Sequence, residues 1–413
     1  MASDLKLLHS LYLVIVFVVF QTLTVSNSDV LPSPDYPEVV PTSPAILSLP
    51  EPSKSQLRSH PYVRPPKPGI RAAYWPSYSS LPASAIETSY FTHIYYAFLV
   101  PSPTTYALNV TSDDLIRIPE FIHALRSKTP RVKTLLSIGG GGSNSTLFSI
   151  IAGSRAERGK FIKSTIDVAR KYGFDGVDLD WEFPADDVDM ANLAVLYKEW
   201  RRGLVSESLT SRKPRLLLTS AVHFAAGFFH DEPRSYPARE MSKYLDWVSP
   251  MCFDYHGSWD NFTGLHSALN DPNSNISTVY GIGSWIKSGI PPNKLVMGLP
   301  VYGRTWKLQD PKVNGVGAPA VGVGPGDEGT LVYYKIIEFN KKNHAVVAFD
   351  SNAVSFYSNA GDSWIGYEDV PSIRLKVRFA RSLGLGGYFF WALGQDYRWA
   401  ISGEGRYLIL TLI

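Results

Sequence analysis

The chain has 413 residues, 45% of them hydrophobic and 19% charged, and a formal net charge of +3. That is apolar enough to build a large core, which excludes a disordered chain. The charge is too small, and no Lys/Arg cluster is dense enough, for a nucleic-acid partner to be expected.

Residues 11–25, LYLVIVFVVFQTLTV, are apolar apart from Gln21 and two Thr, and small residues follow at Ser26 and Ser28. This is the layout of a secretory signal peptide, assigned to 1–26. Its strictly apolar part, 11–20, is short for a membrane span, so an uncleaved anchor is the weaker alternative. A secreted product is expected, extracellular or vacuolar, with no membrane attachment after cleavage. Residues 27–68 are rich in Pro, Ser and acids without apolar periodicity and read as an extended linker or tail. A single catalytic domain is expected over 69–413. Four Asn-x-Ser/Thr sites, at Asn109, Asn144, Asn261 and Asn275, fit a glycosylated secretory protein. The lone cysteine, Cys252, excludes an internal disulfide and reads as a buried small hydrophobe.

From Gly69 onward, β-branched and aromatic runs alternate with helical patterns. Eight strands are predicted, over 70–75, 92–98, 133–140, 176–182, 215–222, 247–254, 294–303 and 386–393. Helical periodicity lies between them: at 113–127, where Pro119 is expected to interrupt it, and at 159–173, where Gly173 is a plausible C-cap. The α/β alternation predicts a (β/α)8 TIM barrel. A doubly wound open sheet is the runner-up, without the Gly-rich turn that a dinucleotide fold would place after its first strand. Residues 306–369 are too many for one crossover helix and read as a small inserted α+β module of short strand-like pieces, TLVYYKIIEF among them.

The run FDGVDLDWEFP places Asp178, Asp180 and Glu182 two residues apart inside the fourth strand. Alternate residues of a strand share a face, so the three carboxylates point one way and Val177, Leu179 and Trp181 the other. In a barrel the acids form a column in the lumen, with Glu182 nearest the C-terminal mouth where barrel active sites are built. Asp175 stands before the strand, placed to hold its entrance through backbone hydrogen bonds. Neighbouring strands offer few cations to pair with them. Stacked carboxyls without cations share protons, and a raised pKa is what a general acid needs. Structural acids and a hard-cation site are the alternatives. With no His in the run and only Asp254 as a further acid at a strand end, no metal and no cofactor are expected.

DGVDLDWE resembles the DxxDxDxE signature of glycoside hydrolase family 18, the chitinases. SIGG (137–140), MCFDYHG (251–257), MGLPVYGRTW (297–306) and GGYFFWALGQD (386–396) resemble the motifs of that family's third, sixth, seventh and eighth strands, in the same order. The resemblance runs from about residue 69 to 400 and is greatest to plant class V chitinases. It implies substrate-assisted catalysis with retention, in which the substrate's own acetamido oxygen is the nucleophile. It gives Glu182 the general acid/base role, Asp180 the orientation of the acetamido group, and Asp178 the part of a buried partner. It implies Trp391 as the floor under the reacting sugar, with Tyr74, Phe98, Met251 and Tyr302 lining the pocket and Arg304 and Asp254 as polar contacts. The implied partner is chitin or a chitooligosaccharide, and a monomer is expected.

One position departs from the family pattern. Phe253 stands where the family usually has a Tyr whose hydroxyl bonds the acetamido oxygen. Tyr255 has the same strand parity and is the candidate to compensate. Two functions stay open: a hydrolase of β-1,4-linked N-acetylglucosamine chains, and a lectin-like binder with little or no turnover.

Overall fold

The computed structural model describes residues 69–404, apart from Asp231 and the side chains of 229–232. The signal peptide and Pro-rich tail expected over 1–68, and the apolar C-terminal run RYLILTLI, lie outside the described residues.

Eight parallel strands form the central sheet: β1 (Ile70–Pro76), β2 (His93–Pro101), β3 (Lys133–Gly139), β4 (Gly176–Asp180), β5 (Leu217–His223), β6 (Trp247–Met251), β7 (Val296–Pro300) and β8 (Gly387–Trp391). They pair in the order β7-β8-β1-β2-β3-β4-β5-β6, and a parallel bridge from Val248 to Leu295 joins the two ends. This is a nearly closed (β/α)8 barrel, and the open-sheet alternative falls. Helices cover the outside, including α1 (Asp114–Arg126), α2 (Ser145–Gly153), α3 (Arg155–Tyr172), α4 (Asp187–Ser211), α5 (Ala238–Tyr244) and α6 (Thr278–Lys287). Among the described residues no helix is long and apolar enough to cross a membrane.

The two faces of each strand build two cores, as period-two alternation requires. Ala73, Trp75, Ile94, Tyr96, Leu136, Val177 and Leu179 face the helices, whereas Ala72, Tyr74, Tyr95, Leu135, Trp247, Val296 and Phe389 fill the lumen. Gly173 ends α3 in the left-handed region at φ 81°, as its position suggested.

Two local expectations are corrected. Pro119 does not interrupt α1, which runs through it. The carbonyl freed by the missing Pro N–H belongs to Leu115, in a turn whose Leu115 and Ile116 side chains face solvent. The second is TLVYYKIIEF, where only Thr330–Val332 is a strand and Tyr333–Lys342 is a helix, α7. Tyr333 and Ile336 are its buried residues, a spacing of three that the β-branched and aromatic composition masked.

Between β7 and β8 lies a second, antiparallel sheet of six strands, opening at Tyr302–Leu308 and closing at Ser363–Tyr367, with α7 on it. It begins only two residues after β7, so Tyr302 and Arg304 belong to this sheet rather than to a barrel strand. Helix α8 (Val370–Ser382) then leads into β8.

Candidate active site

The acids of β4 sit at fixed levels of the sheet. Ser137, Asp178 and Thr219 are register partners across β3, β4 and β5, and all three are wholly buried. Tyr74 Oη donates to Asp178 Oδ2 at 2.9 Å, Ser137 Oγ to the same oxygen at 2.8 Å, and Thr219 Oγ1 to Oδ1 at 2.5 Å. Burial still pushes the Asp178 carboxyl up to about 6, against the pull of these three donors.

Asp180 lies one level higher, with Oδ1 buried and without a hydrogen-bond partner. Burial, then the nearby charges of Glu182 and Asp178, hold its pKa well above the ordinary carboxylate range. Glu182 stands beyond the end of β4 and is only half-buried, and burial followed by the charge of Asp254 raises it to about 7. A carboxyl that keeps its proton near neutrality at the mouth of a barrel can act as an acid toward a bound ligand.

The backbone around the column is held from both sides. Asp175 accepts from the Thr134 N–H at 2.9 Å, which ties the entrance of β4 to β3. Gly140 N–H donates to the Asp180 carbonyl at 2.8 Å, and a Cβ at Gly139, whose φ is +116°, would come within 2.0 Å of that same oxygen. A Cβ at Gly140 would strike the Phe98 ring at 2.5 Å. The SIGG run is therefore glycine for lack of space and for its backbone angles. On the other side, Ser145 at the start of α2 accepts from Trp181 Nε1 at 2.8 Å and donates to the Phe183 carbonyl at 2.7 Å. Trp181 is thereby turned outward, leaving Glu182 on the side of the acids.

Over the column, Trp391 and Phe98 stack with centroids 5.6 Å apart at 23°, and Tyr74 meets Trp391 edge-on at 5.5 Å. Trp391, Phe98 and Met251 are half-buried and keep free surface. Tyr74 does not: it is 1% exposed and its hydroxyl is spent on Asp178, so it supports the column rather than lining an open pocket. Phe253 packs edge-on against Tyr302 and Phe389 in the lumen core. Asp254, with a third of its side chain exposed, accepts from Arg304 Nε at 2.8 Å. Burial opposes its charge, but Arg304 and His266 outweigh burial and hold the carboxyl well below its usual range.

Tyr255 is the site residue that the structure moves elsewhere. β6 ends at Met251 and Asp254 takes a positive φ of 59°, which breaks the strand parity. Tyr255 instead packs in the outer core, edge-on to Phe224, with its hydroxyl 2.9 Å from Thr278 Oγ1. It does not stand in for the hydroxyl that Phe253 lacks.

Four residues of this region were missed in the sequence. Ser137 and Thr219 carry a signal, since both share the lumen parity of their strands. His266 and Trp259 lie in the loops after β6, where no periodicity marks them. Trp259 is 59% exposed, with the Arg304 guanidinium 5.2 Å from its ring centroid. Cys252 is buried, with its thiol pushed up to about 12 by burial, and takes no part. Among the described residues no group of His, Cys, Asp and Glu could hold a metal ion. All four Asn-x-Ser/Thr asparagines are exposed.

Residues 70–396 match the family described as "Glycosyl hydrolases family 18". The class V chitinase CHIT5 of Lotus japonicus is 56% identical over 363 residues, 87% of this chain and 91% of that protein. Among solved structures, a mutant class V chitinase from Nicotiana tobaccum in complex with NAG4 aligns with a TM-score of 0.79 at 35% identity, over 82% of this chain and 98% of that one. A chitinase-like agglutinin from Robinia pseudoacacia aligns with a TM-score of 0.75 at 39% identity, over 81% of this chain and 98% of that one.

Proposed function

The chain belongs to glycosyl hydrolases family 18, and on that premise we propose that it is a secreted hydrolase of β-1,4-linked N-acetylglucosamine chains, with Glu182 as its general acid and base. The observation that carries this reading is the column itself: three carboxyls in one lumen, each with a raised pKa, the outermost raised to about 7.

The steps are those that membership of the family implies, and the placement of the acids is compatible with them. The Glu182 carboxyl gives its proton to the glycosidic oxygen as the C1–O bond breaks. The sugar's acetamido carbonyl oxygen attacks C1 from the opposite face, forming an oxazolinium ring. Substrate-assisted families work in this way, without a second carboxylate as nucleophile. Asp180 has a free, buried Oδ1 with which to accept the acetamido N–H and to balance the growing positive charge. Asp178, fastened by three hydroxyls, holds the negative charge beneath it. Water then opens the ring with Glu182 as the base, which leaves the configuration retained. Trp391 and Phe98 offer the faces on which a pyranose stacks, and Trp259 a further face beside Arg304.

A second reading is a chitooligosaccharide-binding protein with weak turnover. It is favoured by Phe253 in place of a hydroxyl donor and by the likeness to an agglutinin. One comparison separates the two. Hydrolysis of N-acetylglucosamine tetramers to hexamers is measured beside binding, with Glu182→Gln as control. The enzyme reading expects a loss of about a hundredfold to ten-thousandfold in kcat for the control with binding kept. Binding with no Glu182-dependent cleavage would leave only the second reading.

A further inference from the structure

His266 lies in the loop after β6, wholly buried, its ring 5.1 Å from that of Tyr302. Its Nε2 is 3.2 Å from the Tyr302 carbonyl oxygen. A carbonyl can only accept, so this contact is a hydrogen bond in the tautomer that carries its proton on Nε2. The other nitrogen, Nδ1, is buried without a hydrogen-bond partner and faces Asp254 Oδ1 at 3.6 Å. In the neutral ring that nitrogen is a lone pair pointed at a carboxylate, acceptor against acceptor, at a distance too long for a hydrogen bond. Only the imidazolium satisfies both sides at once.

The groups that face this ring come from three segments besides its own. Asp254 follows β6. Tyr302 and Arg304 lie on the first strand of the inserted sheet, and Arg304 Nε donates to the same Asp254 oxygen at 2.8 Å. Glu368 follows the last strand of that sheet and is itself bound to Lys376 of α8 at 2.6 Å. Burial and Arg304 disfavour a second proton on the ring, whereas Asp254 and Glu368 favour it, and burial dominates to lower the His266 pKa.

We propose that His266 is a positioning residue for Asp254: a proton taken up at Nδ1 turns the 3.6 Å contact into a charge-assisted hydrogen bond, and so sets how strongly Asp254 acts on Glu182. With the ring neutral, Arg304 is the cation that balances Asp254, whose charge then favours a proton on Glu182. With the ring charged, Arg304 and His266 share the carboxylate, its field at Glu182 weakens, and Glu182 releases its proton more readily. The proton on Nδ1 comes from solvent and returns to it, and no covalent bond is made.

The effect on Glu182 rests on that residue being the general acid, whereas the His266–Asp254 contact does not, so the test has two arms. In the first, the ring nitrogens of His266 are followed by nitrogen NMR against pH in the intact protein. The expected result is a proton on Nε2 alone at neutral pH and a second on Nδ1 below the usual histidine range. Asp254→Asn should lower that second step by about one pH unit. A ring protonated on Nδ1 alone, no second step before acid unfolding, or a step unmoved by Asp254→Asn overturns the proposal, whether or not the protein is a hydrolase.

The second arm reads the alkaline limb of kcat/KM against pH. Asn puts a permanent N–H where Nδ1 lies, and Gln puts one where Nε2 lies. His266→Asn should move the limb down by about half a pH unit, and His266→Gln should leave it in place. A structural role would instead lower kcat/KM in both without moving the limb. Should both variants fail to fold, the NMR arm still decides.

Discussion

Tyr74 and Asp178, 104 residues apart in sequence, meet across the lumen with the Tyr hydroxyl donating to the carboxylate at 2.9 Å. Each of the three donors on Asp178 favours its charged form against burial. Tyr74→Phe removes one of them while keeping the stacking on Tyr95. Asp178 should then bind its proton more tightly, and the acid limb of kcat/KM should move to higher pH. Near neutral pH the rate should fall about tenfold, the worth of one hydrogen bond to a charged group. A pH profile of the variant checks both, and an unmoved acid limb would remove Tyr74 from the support of the column.

The same carboxyls make stability depend on pH. Asp178 and Glu182 have folded pKa values of about 6 and about 7, above their ordinary values. For a raised carboxyl the folded state binds the extra proton, so its contribution is full at low pH and is lost as pH rises through the folded pKa. The melting temperature should therefore fall between about pH 4 and pH 7, from the ordinary carboxylate values up to these raised ones. Asp178→Asn removes a burden of about 3 kcal/mol at the upper end, where the carboxyl raised to about 6 is forced to ionise. It should raise the melting temperature at pH 8, flatten its pH dependence, and abolish activity. Thermal unfolding of both proteins at several pH values tests this.

The levels of the inner acids were legible from residue spacing. Period two in a strand suffices to put Asp178 and Asp180 on one face, and the strand-helix alternation suffices for the barrel; Glu182 lies beyond the end of β4, where the bonds of Ser145 to Trp181 and Phe183 hold the backbone instead. Two kinds of information were not legible. Tyr255 shows the first: parity holds only while the strand lasts, and a positive φ at Asp254 turned the next side chain outward. His266 and Trp259 show the second, because loop residues reach a site through tertiary contacts that no local pattern records. Helix α7 was hidden for another reason: its aromatic and β-branched residues have the composition of a strand, and its buried Tyr333 and Ile336 reveal it only by their spacing.

Tyr255 is bonded to Thr278 and packed in the outer core. Tyr255→Phe should lower stability by about 1 kcal/mol, the net worth of one buried hydrogen bond. It should leave kcat and KM unchanged. A fall in kcat with stability intact would return Tyr255 to the site.

Trp259 offers an exposed ring beside Arg304. Trp259→Ala should raise KM for hexamers by about tenfold, the worth of one stacked ring, with a smaller effect on trimers. Its kcat should change little, since the ring is not needed at the breaking bond. Equal losses on trimers and hexamers would argue against a role in holding the longer chain.

Phe253 is the position where one oxygen atom decides most. Its ring lies in the lumen core between Tyr302 and Phe389. On the proposed mechanism, the lack of a hydroxyl there would leave the acetamido oxygen one donor fewer to align it for attack on C1. Phe253→Tyr adds that donor at the para position of a ring already in place. If the donor is missing from the reaction, the variant should turn over chitooligosaccharides about tenfold to a hundredfold faster, the equivalent of roughly 1–3 kcal/mol in the transition state. KM should change less than kcat, because the bond tightens as the oxazolinium forms. Steady-state kinetics on tetramers and hexamers, with Glu182→Gln carried in both backgrounds, measures it. A variant that binds as before and is no faster would mean that another group already aligns the acetamido oxygen, and the departure at Phe253 would cease to bear on whether this chain is a competent hydrolase.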